Sequence, residues 1–113
     1  MMPLDTCVYV TQGLELDRTL RCVRIDGQLV SKPLSTRQFD LLEFLIARAG
    51  KVCSRAETSR AVYGERYMRH RDDARLDALI ERTRVHLGDD QRHPRFIETV
   101  RGIGHRLNNG TTA

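Results

Sequence analysis

The sequence predicts an α+β domain: a small antiparallel sheet, then three helices, then a closing β-hairpin. Three observations carry that expectation. Residues 7–31 hold short, mostly alternating apolar and polar runs, broken by Gly13 and Asp26-Gly27, which is the pattern of half-buried strands. Residues 35–87 switch to a helical apolar period, with two Ser-x-x-Gln/Glu starts at Ser35 and Ser54. Residues 95–107 return to strand-forming side chains around Gly102 and Gly104. The chain has 113 residues, 40% hydrophobic and 30% charged. That suits one domain with one core over residues 1–113, its ordered part expected at about 7–107.

Each element arises from local chemistry. Strands are expected at Cys7–Val10, Leu14–Leu16, Arg21–Ile25 and Gln28–Val30, with Asp26-Gly27 as a two-residue hairpin turn. Four strands this short cannot hold a core alone, so they must pack on the helices after them. A first helix is expected over 35–49. Ser35 and Gln38 form its capping box, Phe39, Leu42, Leu45 and Ile46 its apolar stripe, and Gly50 its stop. A second runs over 54–63, from a Ser54–Glu57 capping box to Gly64, with Ala56, Ala61 and Val62 as a thin apolar stripe. Residues 64–72 lack periodicity and read as an exposed loop. Asp72 or Asp73 then caps a third helix over 74–87. Its inward face is Leu76, Ile80, Thr83 and Leu87; Arg75, Ala78, Leu79, Arg82 and His86 fall on other faces. Strands over 95–100 and 105–107, joined by Arg101-Gly102-Ile103-Gly104, close the domain.

Charge narrows the function. Lys and Arg number 19 against 15 Asp and Glu, for a net charge of +4. Residues 1–34 are neutral, while residues 35–107 hold 15 basic and 11 acidic side chains, so the excess lies in the helices and hairpin. Arginine supplies 17 of the 19 basic residues, and its planar fork suits phosphates and guanine edges. No apolar run approaches the roughly 20 residues of a membrane span, and no signal peptide is visible at Met1–Thr6. A cytoplasmic protein without membrane contact is expected. Cys7, Cys22 and Cys53 are odd in number and widely spaced, as reduced thiols are. His70, His86, His93 and His105 are scattered without metal-ligand spacing. No metal, no cofactor and no catalytic constellation is expected.

The second and third helices form a helix-turn-helix with a long turn, and the last hairpin forms a wing. The runs Leu34-Ser35-x-x-Gln38-Phe39-x-Leu41-Leu42, Gly50-Lys51-Val52-x-Ser54-Arg55, Leu76-Asp77-x-x-Ile80 with Arg84, and Phe96-Ile97-x-Thr99-Val100-Arg101-Gly102-x-Gly104-x-Arg106-Leu107 resemble the effector domain of the OmpR/PhoB winged helix-turn-helix response regulators. The resemblance covers roughly residues 8–107, and the final run is its most specific part. It implies sequence-specific binding of double-stranded DNA in bacterial transcription control, with no enzyme activity. Two copies would occupy direct repeats, and the loop 64–72 would face RNA polymerase. The family usually carries a phosphorylated receiver domain. Residues 1–34 are consumed by the small sheet, so the chain is expected to be either an excised effector domain, with a receiver or other sensory domain in a longer parent chain, or a stand-alone regulator.

In this fold the third helix enters the major groove and the wing the minor groove. The expected DNA contacts on the helix are Arg75, Ala78, Leu79, Arg82 and Arg84. Arg82 would fork onto guanine or phosphate, Leu79 would touch a thymine methyl, and Arg84 would lean toward a phosphate. Arg101 at the start of the wing turn would reach the minor groove. Ser54 would offer free helix-terminal amides to a phosphate. By resemblance, Thr99 and the Tyr63 ring would touch phosphates. Arg66, Arg69 and Arg71 would face polymerase or a second stretch of phosphate. The sequence departs from the family pattern at Ala74 and Glu81, where basic residues are frequent, at Thr83 for an apolar residue, at His105 for tyrosine and at Tyr63 for tryptophan. A second reading comes from Ala74, Leu79 and Glu81: a winged-helix protein-interaction module that has lost specific DNA binding, docking through Leu79.

Overall fold

The computed structural model describes residues 8–48, 50–64 and 68–108, the side chains of residues 8, 69 and 70 excepted. The alternating N-terminal runs form four antiparallel strands in sequence order: β1 (Val8–Thr11), β2 (Leu14–Asp17), β3 (Cys22–Ile25) and β4 (Gln28–Leu29). Alternation works as expected on β2, where Leu14 and Leu16 are fully buried and Glu15 and Asp17 half-buried. The Asp26-Gly27 turn takes φ of 52° and 85°. Positive φ at both central residues is what a tight hairpin of this hand requires, and glycine meets it without strain.

Three helices come next: α1 (Thr36–Ile46), α2 (Arg55–Tyr63) and α3 (Arg69–Leu87). Both predicted capping boxes are present. The Ser35 hydroxyl accepts from the Gln38 N–H at 3.2 Å while Gln38 Oε1 accepts from the Ser35 N–H at 2.7 Å. Ser54 and Glu57 repeat the exchange on α2 at 3.1 and 2.9 Å. Gly64 and Gly88 end α2 and α3 in left-handed conformations, as glycine does past a helix. Helix α1 stops at Ile46, before Gly50, which itself has a positive φ of 84°. On α2 the expected stripe is only partly right: Val62 is buried, but Ala61 is exposed and the inward face is completed by Thr58 and Ser59. Thr58 satisfies its hydroxyl on Ser54 O at 2.8 Å.

The start of α3 departs from expectation. Residues 69–72 are helical, not loop, and neither Asp72 nor Asp73 is the N-cap; Met68 is, without a side-chain bond of its own. Asp72 instead turns back from inside the first turn, and its Oδ2 accepts the Met68 N–H at 2.6 Å. One carboxylate thus satisfies a helix-start amide from the next turn along, and the helix gains an early turn. Aperiodic, charged residues 64–72 gave no apolar signal of this.

The last segment forms β6 (Ile97–Val100) and β7 (Gly104–Leu107), joined by a turn at 101–103. A third strand, β5 (Cys53–Ser54), pairs with β7, giving the order β5-β7-β6. Two residues carry too little pattern to announce a strand. The two wing glycines serve different ends. Gly102 adopts a φ of 79° in the turn. Gly104 lies against β5, where an added Cβ would collide with the Cys53 carbonyl.

One core holds these parts together. Leu14, Leu16 and Val23 of the first sheet meet Phe39, Leu41, Leu42 and Leu45 of α1, Leu76, Leu79, Ile80 and Leu87 of α3, and Phe96, Ile97 and Leu107 of the wing. Polar ties cross the gaps. The Asp89 carboxylate, just past α3, accepts the N–H groups of Arg95 at 2.7 Å and Ile97 at 2.9 Å and sets the start of β6. Arg95 reaches Asp26 at 2.7 Å and joins that segment to the first sheet. Among the described residues, no helix is long and apolar enough to cross a membrane, and no His, Cys, Asp or Glu side chains cluster as a metal site would need.

Candidate nucleic-acid interface

Helix α3 divides lengthwise. Leu76, Leu79, Ile80, Thr83, Arg84 and Leu87 are buried; Ala74, Asp77, Ala78, Glu81, Arg82 and Val85 are exposed. Leu79 was expected on the outward face, and the structure corrects this: it is 2% exposed and belongs to the core. Residues 76, 79, 80, 83 and 87 keep the i, i+3, i+4 rhythm of a single buried stripe. The expected thymine contact from Leu79 is therefore withdrawn. Thr83, the expected weak member of that stripe, is fully buried and donates its hydroxyl to Leu79 O at 2.8 Å.

Arg84 is the second correction. It is 5% exposed, and its guanidinium turns inward under the wing. Nη2 donates to Ile97 O at 3.0 Å and to Thr99 Oγ1 at 2.9 Å. It is a tie between α3 and β6 rather than a side chain extended to solvent. The physical reason lies in β6: its first carbonyl and a threonine hydroxyl meet a long cation on the inward side of α3. Thr99 itself is exposed, with its hydroxyl oxygen shared with Arg84.

Arg82, two residues earlier, is the opposite case. It is exposed, and its guanidinium has no ion pair or hydrogen bond among the described residues. Ala78, one turn before it, is exposed beside it. Arg101 is likewise exposed in the wing turn, with no ion pair among the described residues. These two outward cations and Ala78 lie where the sequence places them.

Arg75 is half-buried and committed. Its Nη2 sits 2.7 Å from Asp72 Oδ1, and its guanidinium stacks 3.6 Å from the centre of the Tyr63 ring. Arg37 of α1 lies 4.4 Å from the same ring. Two guanidinia thus lie against the Tyr63 ring and link all three helices. Arg71 sits in the first turn of α3, not in a loop, and grips Asp72 with Nε at 2.8 Å and Nη2 at 3.1 Å. Asp72 is almost wholly buried, and the bonds from Arg71 and the Met68 N–H hold its carboxyl at about 2. Arg69 is the first residue of α3 and Arg66 lies outside the described residues.

Ser54 is the N-cap of α2, as expected. Its own N–H and that of Glu57 are taken by the capping box. The Glu57 carboxylate, held below its usual range by its bond to the Ser54 backbone, sets a negative charge beside the helix start where an anion is expected.

Between α3, the wing and the start of α2 lies a polar cleft of about 270 Å³, lined in part by Arg55, Asp77, Arg84, Thr99 and His105. Arg55 of α2 bonds Asp77 of α3 at 2.8 Å. His105 pairs across the strands with Thr99 and Cys53 and is 2% exposed. Burial first, and then the charges of Arg55 and Arg84, push its pKa down to about 4, so it is neutral near pH 7. No sequence pattern singles out Asp72, Asp89, Arg55 or Asp77 as ties. Arg55 and Asp77 stand within the family-like motifs, but only their contact shows what they do.

Residues 30–107 match the family model described as "Transcriptional regulatory protein, C terminal". Among curated relatives, the sensory transduction protein RegX3 of Mycolicibacterium smegmatis is 32% identical over 103 residues, 91% of this chain and 43% of that protein. A probable transcriptional regulator, ycf27 of Porphyra purpurea, is 37% identical over 81% of this chain and 37% of that protein. The chain spans less than half the length of the curated relatives it matches. Among solved structures, the DNA-binding domain of Klebsiella pneumoniae RstA, determined in complex with the RstA box, superposes with a TM-score of 0.78 at 30% identity, covering 90% of this chain and 97% of that one. The DNA-binding domain of CpxR from E. coli gives 0.76 at 28% identity over 92% and 98%.

Proposed function

The chain belongs to the family of transcriptional regulatory protein C-terminal domains, and on that premise we propose how it works. The family is one of winged-helix DNA-binding domains that regulate transcription, not of enzymes. In our reading the outward face of α3 lies in the major groove of a specific operator and the wing tip tracks the adjacent minor groove. The observation that carries this is that Arg82 on α3 and Arg101 in the wing turn are both exposed and have no ion pair among the described residues.

Arg82 forks onto a guanine edge or a phosphate, and Ala78 beside it leaves room for a thymine methyl. Arg101 enters a narrow, A·T-rich minor groove. Thr99, Arg75 and the Tyr63 ring flank these on the phosphate side, Arg75 by lending its charge from above the ring. Arg84 acts one step back, by holding Thr99 and β6 in place. Two copies would read direct repeats in tandem. Arg69 and Arg71 at the start of α3, with Arg66 before them in the sequence, would face RNA polymerase or a second stretch of phosphate. The interaction-module alternative drew on Ala74, Glu81 and an outward Leu79, and the burial of Leu79 removes the docking side chain it named.

Selection from a random duplex library, followed by titration at several salt concentrations, tests the proposal. A repeated motif should emerge, with log K falling by about 0.9 per neutralised phosphate as log salt rises. Arg82→Ala should cost about 1–3 kcal/mol and relax one base position, with no change in thermal midpoint. A wild-type protein that selects no motif and binds only as weakly as about 10⁻⁵ M would sink it.

A further inference from the structure

The outward face of α3 carries one group that a DNA-facing surface should not tolerate idly. Glu81 is exposed, its side chain 55% open to solvent. Its one ion-pair contact among the described residues is Arg84, whose Nη1 is 4.0 Å away and whose other donors are spent on Ile97 O and Thr99. A solvent-exposed pair at that distance contributes little. The neighbouring acid, Asp77, differs: Arg55 Nη2 holds it at 2.8 Å. Glu81 is therefore an acceptor-only carboxylate with nothing strong to accept from, set one residue from the unpaired fork of Arg82.

Against a polyanion such a group costs affinity everywhere unless it meets a donor. In the major groove cytosine N4 offers a donor with no acceptor on the same base edge, adenine offers N6 beside the N7 acceptor, and guanine and thymine place acceptors there. A carboxylate facing O6 or O4 would leave two acceptors opposed and unsatisfied, which is expensive in a desolvated contact. We propose that Glu81 is a specificity-determining residue that selects cytosine at one operator position, beside the base or phosphate taken by Arg82. Attraction and exclusion act together here: the gain on cytosine is modest, and the penalty on guanine and thymine supplies much of the discrimination. Ala74, Ala78 and Val85 give the exposed face small or apolar side chains beside Glu81, and the neighbouring acid Asp77 is tethered to Arg55.

This proposal rests on the reading that the outward face of α3 enters the major groove. The test uses the selected duplex and its single-base variants, titrated at fixed salt with wild type, Glu81→Ala and Glu81→Gln. Wild type should prefer cytosine at one position by about tenfold or more. Glu81→Ala should flatten that position alone. Glu81→Gln should move its preference to adenine, whose N6 and N7 match an amide. Thermal midpoints should stay within a degree or two, since the side chain is exposed. If instead both variants bind every duplex tighter by one common factor, with base preferences unchanged, Glu81 acts only through its charge and the proposal fails. If wild type selects no motif, the groove-facing reading of α3 fails first and takes this one with it.

Discussion

The two faces of α3 carry arginines only two residues apart, and they do unlike work. Arg84 is buried and spends its donors on Ile97 O and Thr99, fastening the wing to the helix. Arg82 is exposed and uncommitted. The same contrast separates Leu79, inside the core, from Ala78, outside it. A recognition helix must do both jobs along its whole length. Its inward face fixes the angle at which its outward face is presented. Residue type does not tell the two apart; the helix's rotation against its neighbours does.

The largest effect should come from the inward face. Leu79→Ala should lower stability by about 2–5 kcal/mol through the cavity it leaves, read as a shift in urea midpoint. An outward Leu79 would give less than about 0.5 kcal/mol, and that result would erase the division between the two faces.

Arg84 is next. Arg84→Ala strands the Ile97 carbonyl and the Thr99 hydroxyl under the wing and should cost about 2–3 kcal/mol. Amide exchange should quicken in β6 and β7 more than in β1–β4. A variant that melts normally yet loses DNA affinity would make Arg84 an outward contact after all.

The third prediction concerns pH. His105 has its pKa lowered to about 4 in the folded chain, from an ordinary 6.5. Between those values the unfolded chain binds more protons, so stability rises with pH and is lost as pH falls from about 6.5 toward 4. Going from pH 7 to pH 5 should remove about 2 kcal/mol through this residue. His105→Phe should remove most of that loss, which urea titrations of both proteins at the two pH values will measure. An identical pH slope in both would show that His105 is solvated rather than buried.

Much of this architecture is legible in the residues alone. Ser35, Ser54, Gln38 and Glu57 announce two helix starts because a capping box is made within four residues of chain. Asp26-Gly27 announces its hairpin and Gly64 and Gly88 their helix ends, since positive φ is a property of the residue itself. The expected outward Arg82 and Arg101 stand exposed as their positions imply. The misses share a different character. The early turn of α3 depends on Asp72 folding back to Met68 with Arg71 and Arg75 around it. Strand β5 exists only because β7 lies beside it, and Gly104 is needed only because Cys53 comes so close.

The sequence by itself determined the order of elements, the caps, the turns and the apolar stripes, because each is an agreement among residues within about one helical turn or one hairpin. Tertiary structure alone decided that Arg84 turns inward, that Leu79 is core, that His105 is buried near two guanidinia, and that Asp89 fastens the start of β6. Those outcomes depend on groups up to dozens of positions away in the chain. The free energy that settles them, burial against solvation of a particular side chain, is set only when the distant partner arrives.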